Sequence, residues 1–239
     1  MMKSVEKMKK KFYPDGSKDG TLIFYNWLRQ CIKSDYVVLN VGAGLTADVK
    51  IKSLRGEVKQ VIGVDIDKEV LKNKDLDKSF VVEKNNFPFD NNFFDLAWAD
   101  FVLEHIEDPA GFLKEINRVL KPGASFFFRT PNRFHYVSLI ASLTPHWFHE
   151  LVANRVRCLP QDAHEPYETL YRFNTKRNIL KNSYSAGFRN IEIKFVEADP
   201  SYLVFHPAAF LLGVAYERFV NSFGFCSAAR ANIFGRLEK

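Results

Sequence analysis

From Tyr36 to Asp65 the chain reads as strand, turn, helix and strand, and that order restricts its fold more than any other stretch. Tyr36, Val37, Val38, Leu39, Asn40 and Val41 form an apolar run too short for a helix and rich in residues that suit a buried parallel strand. Gly42-Ala43-Gly44 predicts a tight turn after it. Leu45 to Leu54 is expected to form a helix with Thr46 as its N-cap, and Val58 to Val64 makes a second apolar strand that ends at Asp65.

Glycines in such a turn let the backbone approach a ligand, and the helix N-terminus offers unpaired N–H groups. An acid about 20 residues further on can accept both hydroxyls of a ribose. The unit therefore predicts a pocket for an adenosine-containing cofactor, and it leaves two open. Gly42-x-Gly44-x-x-Ala47 with Asp65 downstream matches the dinucleotide fingerprint, in which the helix N-terminus receives a pyrophosphate. A G-x-G turn after an apolar strand suits S-adenosylmethionine equally.

With 239 residues the chain can bury one substantial core, so residues 1–239 are expected to form a single domain. Its net charge of +6 sits largely on Lys3, Lys7, Lys9, Lys10 and Lys11, and residues 1–20 read as a polar tail. No zinc-finger spacing or long basic helix is present, so no nucleic-acid partner is expected. Cys31, Cys158 and Cys226 are scattered without a C-x-x-C pair. They predict neither a disulfide framework nor a zinc site, and with no apolar run behind the first lysines the expectation is a cytoplasmic protein without a signal peptide. The longest apolar stretch, Tyr202 to Val220, is broken by His206, Pro207, Glu217 and Arg218. It predicts an amphipathic or buried helix that at most touches a membrane surface.

Along the chain, Thr21 to Ile32 has near-helical apolar spacing, and a short helix is expected from Asp67 to about Asn73. Strands follow at Ser79 to Val82, Phe93 to Ala99 (before Asp100) and Ala124 to Arg129. Between the last two, Pro109 opens a helix with Phe112, Leu113, Ile116, Val119 and Leu120 on one face. Asn174 or Thr175 caps a further helix through Ser185, closed by Gly187, and strands are expected at Ile191 to Val196 and near Ala229 to Arg236. Alternating strands and helices imply a Rossmann-like, doubly wound parallel sheet with its ligand site at the carboxyl ends of the strands. Asn40 to Gly44, Asp65, Glu83 and Asp100 all fall at such ends. Residues 132–173 break the alternation, carry His135, His146, His149, His164, Arg155, Arg157 and Arg172, and are expected to form a substrate-binding lid.

Later motifs bear on the choice of cofactor. Val38-Leu39-Asn40-Val41-Gly42-Ala43-Gly44, Gly63-Val64-Asp65, Phe87-Pro88-Phe89 with Phe94-Asp95-Leu96, Val102-Leu103-Glu104-His105 and Leu120-Lys121-Pro122-Gly123 follow one another in order and spacing. In this the chain resembles the class I S-adenosylmethionine-dependent methyltransferases, in the broad group that includes quinone-biosynthesis enzymes. The resemblance implies a seven-stranded sheet, mostly parallel with an antiparallel last strand, and S-adenosylmethionine as cofactor. It implies that Asn40, Gly42, Ala43 and Gly44 face the methionine part, Asp65 the ribose and Ile66 the adenine. Glu83, Asn85 and Asn86 would border the adenine, with Asp100 and Phe101 around the sulfonium. Two positions depart from the family pattern, Asn40 where an acid is usual and Thr46 where a third glycine is usual.

The expected reaction is methyl transfer to a small-molecule acceptor, an oxygen of a sugar, glycan precursor, aromatic or lipid-like metabolite. Its donor is already activated, so proximity and alignment carry most of the catalysis, and a base is needed if the nucleophile is a hydroxyl. His105, just past the fourth strand, is the candidate base. Glu104-His105 lacks the further acid a metal site would want, since Phe101 stands there, and no metal is expected. The alternatives are a non-catalytic S-adenosylmethionine-binding interaction module and, further off, an NAD-dependent oxidoreductase.

Overall fold

The structure is a computed structural model, described here for residues 2–46, 49–143 and 169–239. The described residues fall into two compact units, one made of residues 24–131, 169–194 and 233–239 and the other of residues 2–23, 132–143 and 195–232.

The first unit holds a seven-stranded sheet with β1 (Val37–Val41), β2 (Gln60–Asp65), β3 (Lys78–Val81), β4 (Phe94–Asp100), β5 (Leu120–Pro131), β6 (Asn190–Val196) and β7 (Asn232–Glu238). The order is β3-β2-β1-β4-β5-β7-β6, with β1 to β5 parallel and β7 antiparallel to both its neighbours. Leu39 pairs with Ile62 on one side and Ala97 on the other, which makes β1 an interior strand. Its apolar run is continuous because helices cover both faces of the sheet. Phe126, Phe127 and Phe128 show the consequence, since all three are buried although neighbours in a strand point to opposite faces. Phe127 meets Trp27 of α2 (Gly20–Arg29) with ring centroids 5.0 Å apart, and Phe126 meets Phe112 of α3 (Pro109–Val119) at 6.1 Å.

Several boundaries differ from expectation for physical reasons. The helix expected over Leu45 to Leu54 is, among the described residues, a single 3-10 turn at Lys50–Lys52. Thr46 caps no helix, because its hydroxyl accepts the Lys74 N–H at 2.6 Å. The stretch from Asp67 is likewise a 3-10 turn, Lys68–Lys72, capped by the Asp67 carboxylate. β5 begins at Leu120, four residues earlier than predicted, because Gly123 at φ 77° carries Lys121-Pro122-Gly123 through an irregular register against β4. α5 (Lys176–Ser185) starts where predicted, with Thr175 accepting from Asn178 N.

The second unit contains α1 (Met2–Phe12), α4 (Tyr136–Leu143) and α6 (Pro207–Ser222). Residues 1–20 were read as a tail, yet Val5, Met8 and Phe12 share one side of α1. Val5 and Tyr13 pack on Phe210 and Val214 of α6, with Met8 and Phe12 alongside. The predicted lid lies partly outside the described residues, with His146, His149, His164, Arg155 and Arg157 among them. His135 is buried in this unit, where Glu197 faces it and accepts from Tyr202 Oη at 3.2 Å and Ala231 N at 2.6 Å. No helix among the described residues is long and apolar enough to cross a membrane.

Candidate functional site

The expected cofactor residues converge at the carboxyl ends of β1, β2 and β4, all within the sheet unit. Asn40, one residue before the end of β1, is half-buried and in register with Gly63 of β2 and Trp98 of β4. The chain then turns through Gly42 at φ 67° and Gly44 at φ 51°, left-handed values that favour glycine. A Cβ on Gly42 would lie 2.3 Å from Val102, so the turn closes against the segment that follows β4. A Cβ on Gly44 would meet nothing within 4 Å, which leaves that side of the turn open to a ligand.

Asp65 fixes the turn from below. One carboxylate oxygen accepts Gly44 N at 2.8 Å and the other accepts Asp67 N at 2.9 Å. Each oxygen keeps a second lone pair, so the acid can hold the turn and still accept ribose hydroxyls. Asn73 completes the frame by donating to the carbonyls of Ala43 and Gly44, both at 3.0 Å. Beyond Asp65, Ile66, Val82, Glu83, Lys84 and Asn86 line an open cleft of about 570 Å³. Two aliphatic side chains together with a carboxylate and an amide fit a purine, which needs an apolar face and hydrogen-bonding edges. Asn85 does not line this cleft; its amide nitrogen would lie 3.5 Å from a Cβ on Gly111, at the start of α3.

At the end of β4, Asp100 is already paired. Arg129 grips it through Nε on one oxygen and a terminal nitrogen at 2.9 Å on the other, Lys52 Nζ stands at 3.4 Å and Tyr25 Oη donates at 3.3 Å. Phe101 follows at φ 58°, with its ring 4.5 Å from the Arg129 guanidinium. His105 closes a 3-10 turn, Leu103–His105, its N–H bonded to Val102 O at 3.0 Å. Glu104 beside it is buried and accepts from Thr130 Oγ1 at 3.0 Å, while Leu170 and Tyr171 donate to its carbonyl. Burial pushes its carboxyl up to about 7. Among the described residues no group of three or more acids, histidines or cysteines could hold a metal ion.

Residues 39–128 match the model of a methyltransferase domain, the same segment that contains the turn, Asp65 and the end of β4. Over that segment the chain is similar to methyltransferase domains. It is similar too to the demethylmenaquinone methyltransferase of Staphylococcus saprophyticus, 38% identical over 101 residues, or 38% of this chain and 43% of the relative. The chain thus spans less than half the length of that relative. Among solved structures the [4+2]-cyclase SpnF matches with a TM-score of 0.57 and 16% identity over 94% of this chain and 84% of the other. Phosphoethanolamine N-methyltransferase 2 of Haemonchus contortus, in complex with S-adenosylmethionine, matches with 0.58 and 16% over 100% of this chain and 57% of the other. At such identities the structural likeness concerns the fold.

Reading the sequence missed four residues that the fold brings to the site. Tyr25, Lys52 and Arg129 were not singled out, and Glu104 was weighed only as a metal ligand. Arg129 carried a signal, a charge closing the run Phe126-Phe127-Phe128 in a strand buried on both faces, where a guanidinium needs an acid. Replacing Asp65 with alanine should weaken S-adenosylhomocysteine binding by about 1.5–3 kcal/mol, roughly 10- to 150-fold, through loss of charge-assisted hydrogen bonds. Titration calorimetry of the variant reads this directly, and an unchanged Kd removes Asp65 from the site.

Proposed function

We propose that this chain transfers the methyl group of S-adenosylmethionine to a small aromatic or lipid-like acceptor. The observation that carries the reading is Asp65 holding the glycine turn through Gly44 N with one oxygen and Asp67 N with the other while the cleft of Ile66, Glu83 and Asn86 opens beside it. Gly42, Ala43 and Gly44 would take the methionine end, Asp65 the ribose, and Ile66, Glu83 and Asn86 the adenine. When bound, the cofactor supplies an activated methyl group. The protein's part is alignment, exclusion of water and, for a hydroxyl acceptor, removal of a proton. His105 is assigned that last role, from its place one turn beyond Phe101. The acceptor class follows the name of the Staphylococcus relative, whose product belongs with lipid-like quinones. Such acceptors reside in bilayers, so this reading expects the protein to reach one.

The test has two stages. Calorimetry with S-adenosylmethionine, S-adenosylhomocysteine and NADH should give micromolar binding of the two sulfur compounds and none of NADH; the reverse pattern sinks the proposal. Formation of S-adenosylhomocysteine in the presence of hydroquinones, but not of sugars, then supports the acceptor class. Turnover has to be measured because the fold also carries a [4+2]-cyclase. Binding without turnover on any acceptor class would favour the interaction-module reading. His105→Ala should lower kcat while leaving cofactor affinity intact.

A further inference from the structure

β6 is the last strand in the sheet order, so one of its edges has no strand beside it among the described residues. Which backbone groups face that edge follows from the pairing on the other side. Arg189, directly before β6, donates its N–H to Glu238 O of β7 at 3.1 Å. Backbone groups alternate sides along a strand. Ile191 and Ile193 therefore bond towards β7 as well, while Glu192 and Lys194 turn their N–H and C=O groups to the open edge. Side chains alternate too, between the two faces. Ile191 and Ile193 are half-buried on one face, whereas Glu192 and Lys194 stand on the other with side chains 47% and 45% exposed, paired at 2.9 Å.

An open edge is a template for another chain, and a charge on it normally discourages pairing. β6 carries one charge of each sign two positions apart, and for one partner this inverts the effect. When the strand meets its own image antiparallel about Ile193, Glu192 faces Lys194 of the other copy, and Lys194 faces Glu192 of the other copy. The backbone groups of both residues point to the shared edge, so each opposed pair exchanges N–H···O bonds while its side chains attract. On the other face Ile193 meets its image. Centring the twofold one residue either way sets Glu192 against Glu192 or Lys194 against Lys194, and a parallel in-register pairing does both. Of these arrangements, the one about Ile193 alone satisfies charge and hydrogen bonds together. We propose that β6 is a self-association edge, along which two copies of the chain pair antiparallel about Ile193 and join their sheets into one. The contact is isologous, so it closes at two copies.

This inference is independent of the methyl-transfer reading. Sedimentation velocity over a range of protein concentrations should show a monomer–dimer equilibrium that shifts towards monomer at high salt. Glu192→Lys and Lys194→Glu should each raise the dimer Kd by roughly tenfold or more, because two opposed pairs turn from attraction to repulsion. Mixing the two variants should restore a dimer, now of one copy of each. The exchange Glu192→Lys/Lys194→Glu within one chain should restore it as well. Lys194 also lies 4.1 Å over the Trp27 ring, a contact that Glu192→Lys leaves in place, so that variant reads the edge by itself. Both substituted side chains are at the surface, and unchanged circular dichroism shows that the variants are folded. A monomer at every concentration overturns the proposal, as does a dimer that is indifferent to the single variants or one that the mixture fails to restore.

Discussion

Arg129→Met is expected to destabilise the sheet unit by about 3–5 kcal/mol, a large part of the roughly 5–15 kcal/mol that holds a typical domain folded. Arg129 is 4% exposed and its guanidinium lies between the rings of Phe24 at 5.5 Å and Phe101 at 4.5 Å. Both of its contacts to Asp100 are lost on substitution, while methionine keeps most of the apolar stem. The cost comes chiefly from the acid left behind, with only Tyr25 and the more distant Lys52 to satisfy it where its side chain is 11% exposed. Removing both charges in Asp100→Asn/Arg129→Met should therefore recover much of the loss, which is a non-additivity that a double-mutant cycle measures. Urea unfolding checks it through a fall in midpoint at constant slope. A loss below about 1 kcal/mol would mean that Asp100 finds solvent when Arg129 goes.

Two raised carboxyls outweigh one lowered histidine, so stability should be highest near pH 4–4.5 and fall on both sides. Burial pushes the carboxyls of Glu104 and Glu197 each up to about 7, above the ordinary 4.5. The folded protein then holds protons that the unfolded chain has released. The stabilisation this gives is fully present below about 4.5 and is lost as pH rises through 7. At about 1.4 kcal/mol per pH unit, each group accounts for on the order of 3 kcal/mol between those limits. His135 works in the other direction. Burial lowers it from 6.5 to about 4, so the unfolded chain takes up a proton first and stability falls as pH drops from 6.5 towards 4. Glu104→Gln removes one titrating group while keeping an acceptor for the Thr130 hydroxyl. Its unfolding free energy should fall less between pH 5.5 and pH 8 than that of the native sequence. Equal slopes for the two proteins would show that Glu104 ionises normally in the folded state.

What could be read from the sequence was whatever depends on short-range pattern. The strands β1, β2 and β4 announced themselves because a parallel strand covered on both faces must be apolar throughout, and the polar residues Asp65 and Asp100 marked where cover ends. The antiparallel position of β7 came only through family resemblance. The helix expected after Gly44 failed because a hydroxyl at Thr46 suits an N-cap in isolation, whereas here the Lys74 N–H, 28 positions away, claims it. α1 was hidden for a different reason. Its apolar residues Val5, Met8 and Phe12 are spaced for a helix, but the lysines between them suggested solvent until Phe210 and Val214 supplied something to pack on. Arg129 signalled locally only that it needs an acid and not that the acid is Asp100, and such long-range pairings are what shape the site.

The sheet order also constrains how such a chain can be made. β7 lies between β5 and β6, so the strand synthesised last separates two that emerge before it. On a ribosome the parallel half, β3-β2-β1-β4-β5, can assemble as soon as Pro131 has left the exit tunnel. β5 then presents an open edge, and β6 has no strand to join until residues 232–238 arrive and insert between them. Nascent chains halted before Asn232 should bind holdase chaperones or aggregate through that edge. A stall late in translation is thus more hazardous for this topology than one placed soon after β5.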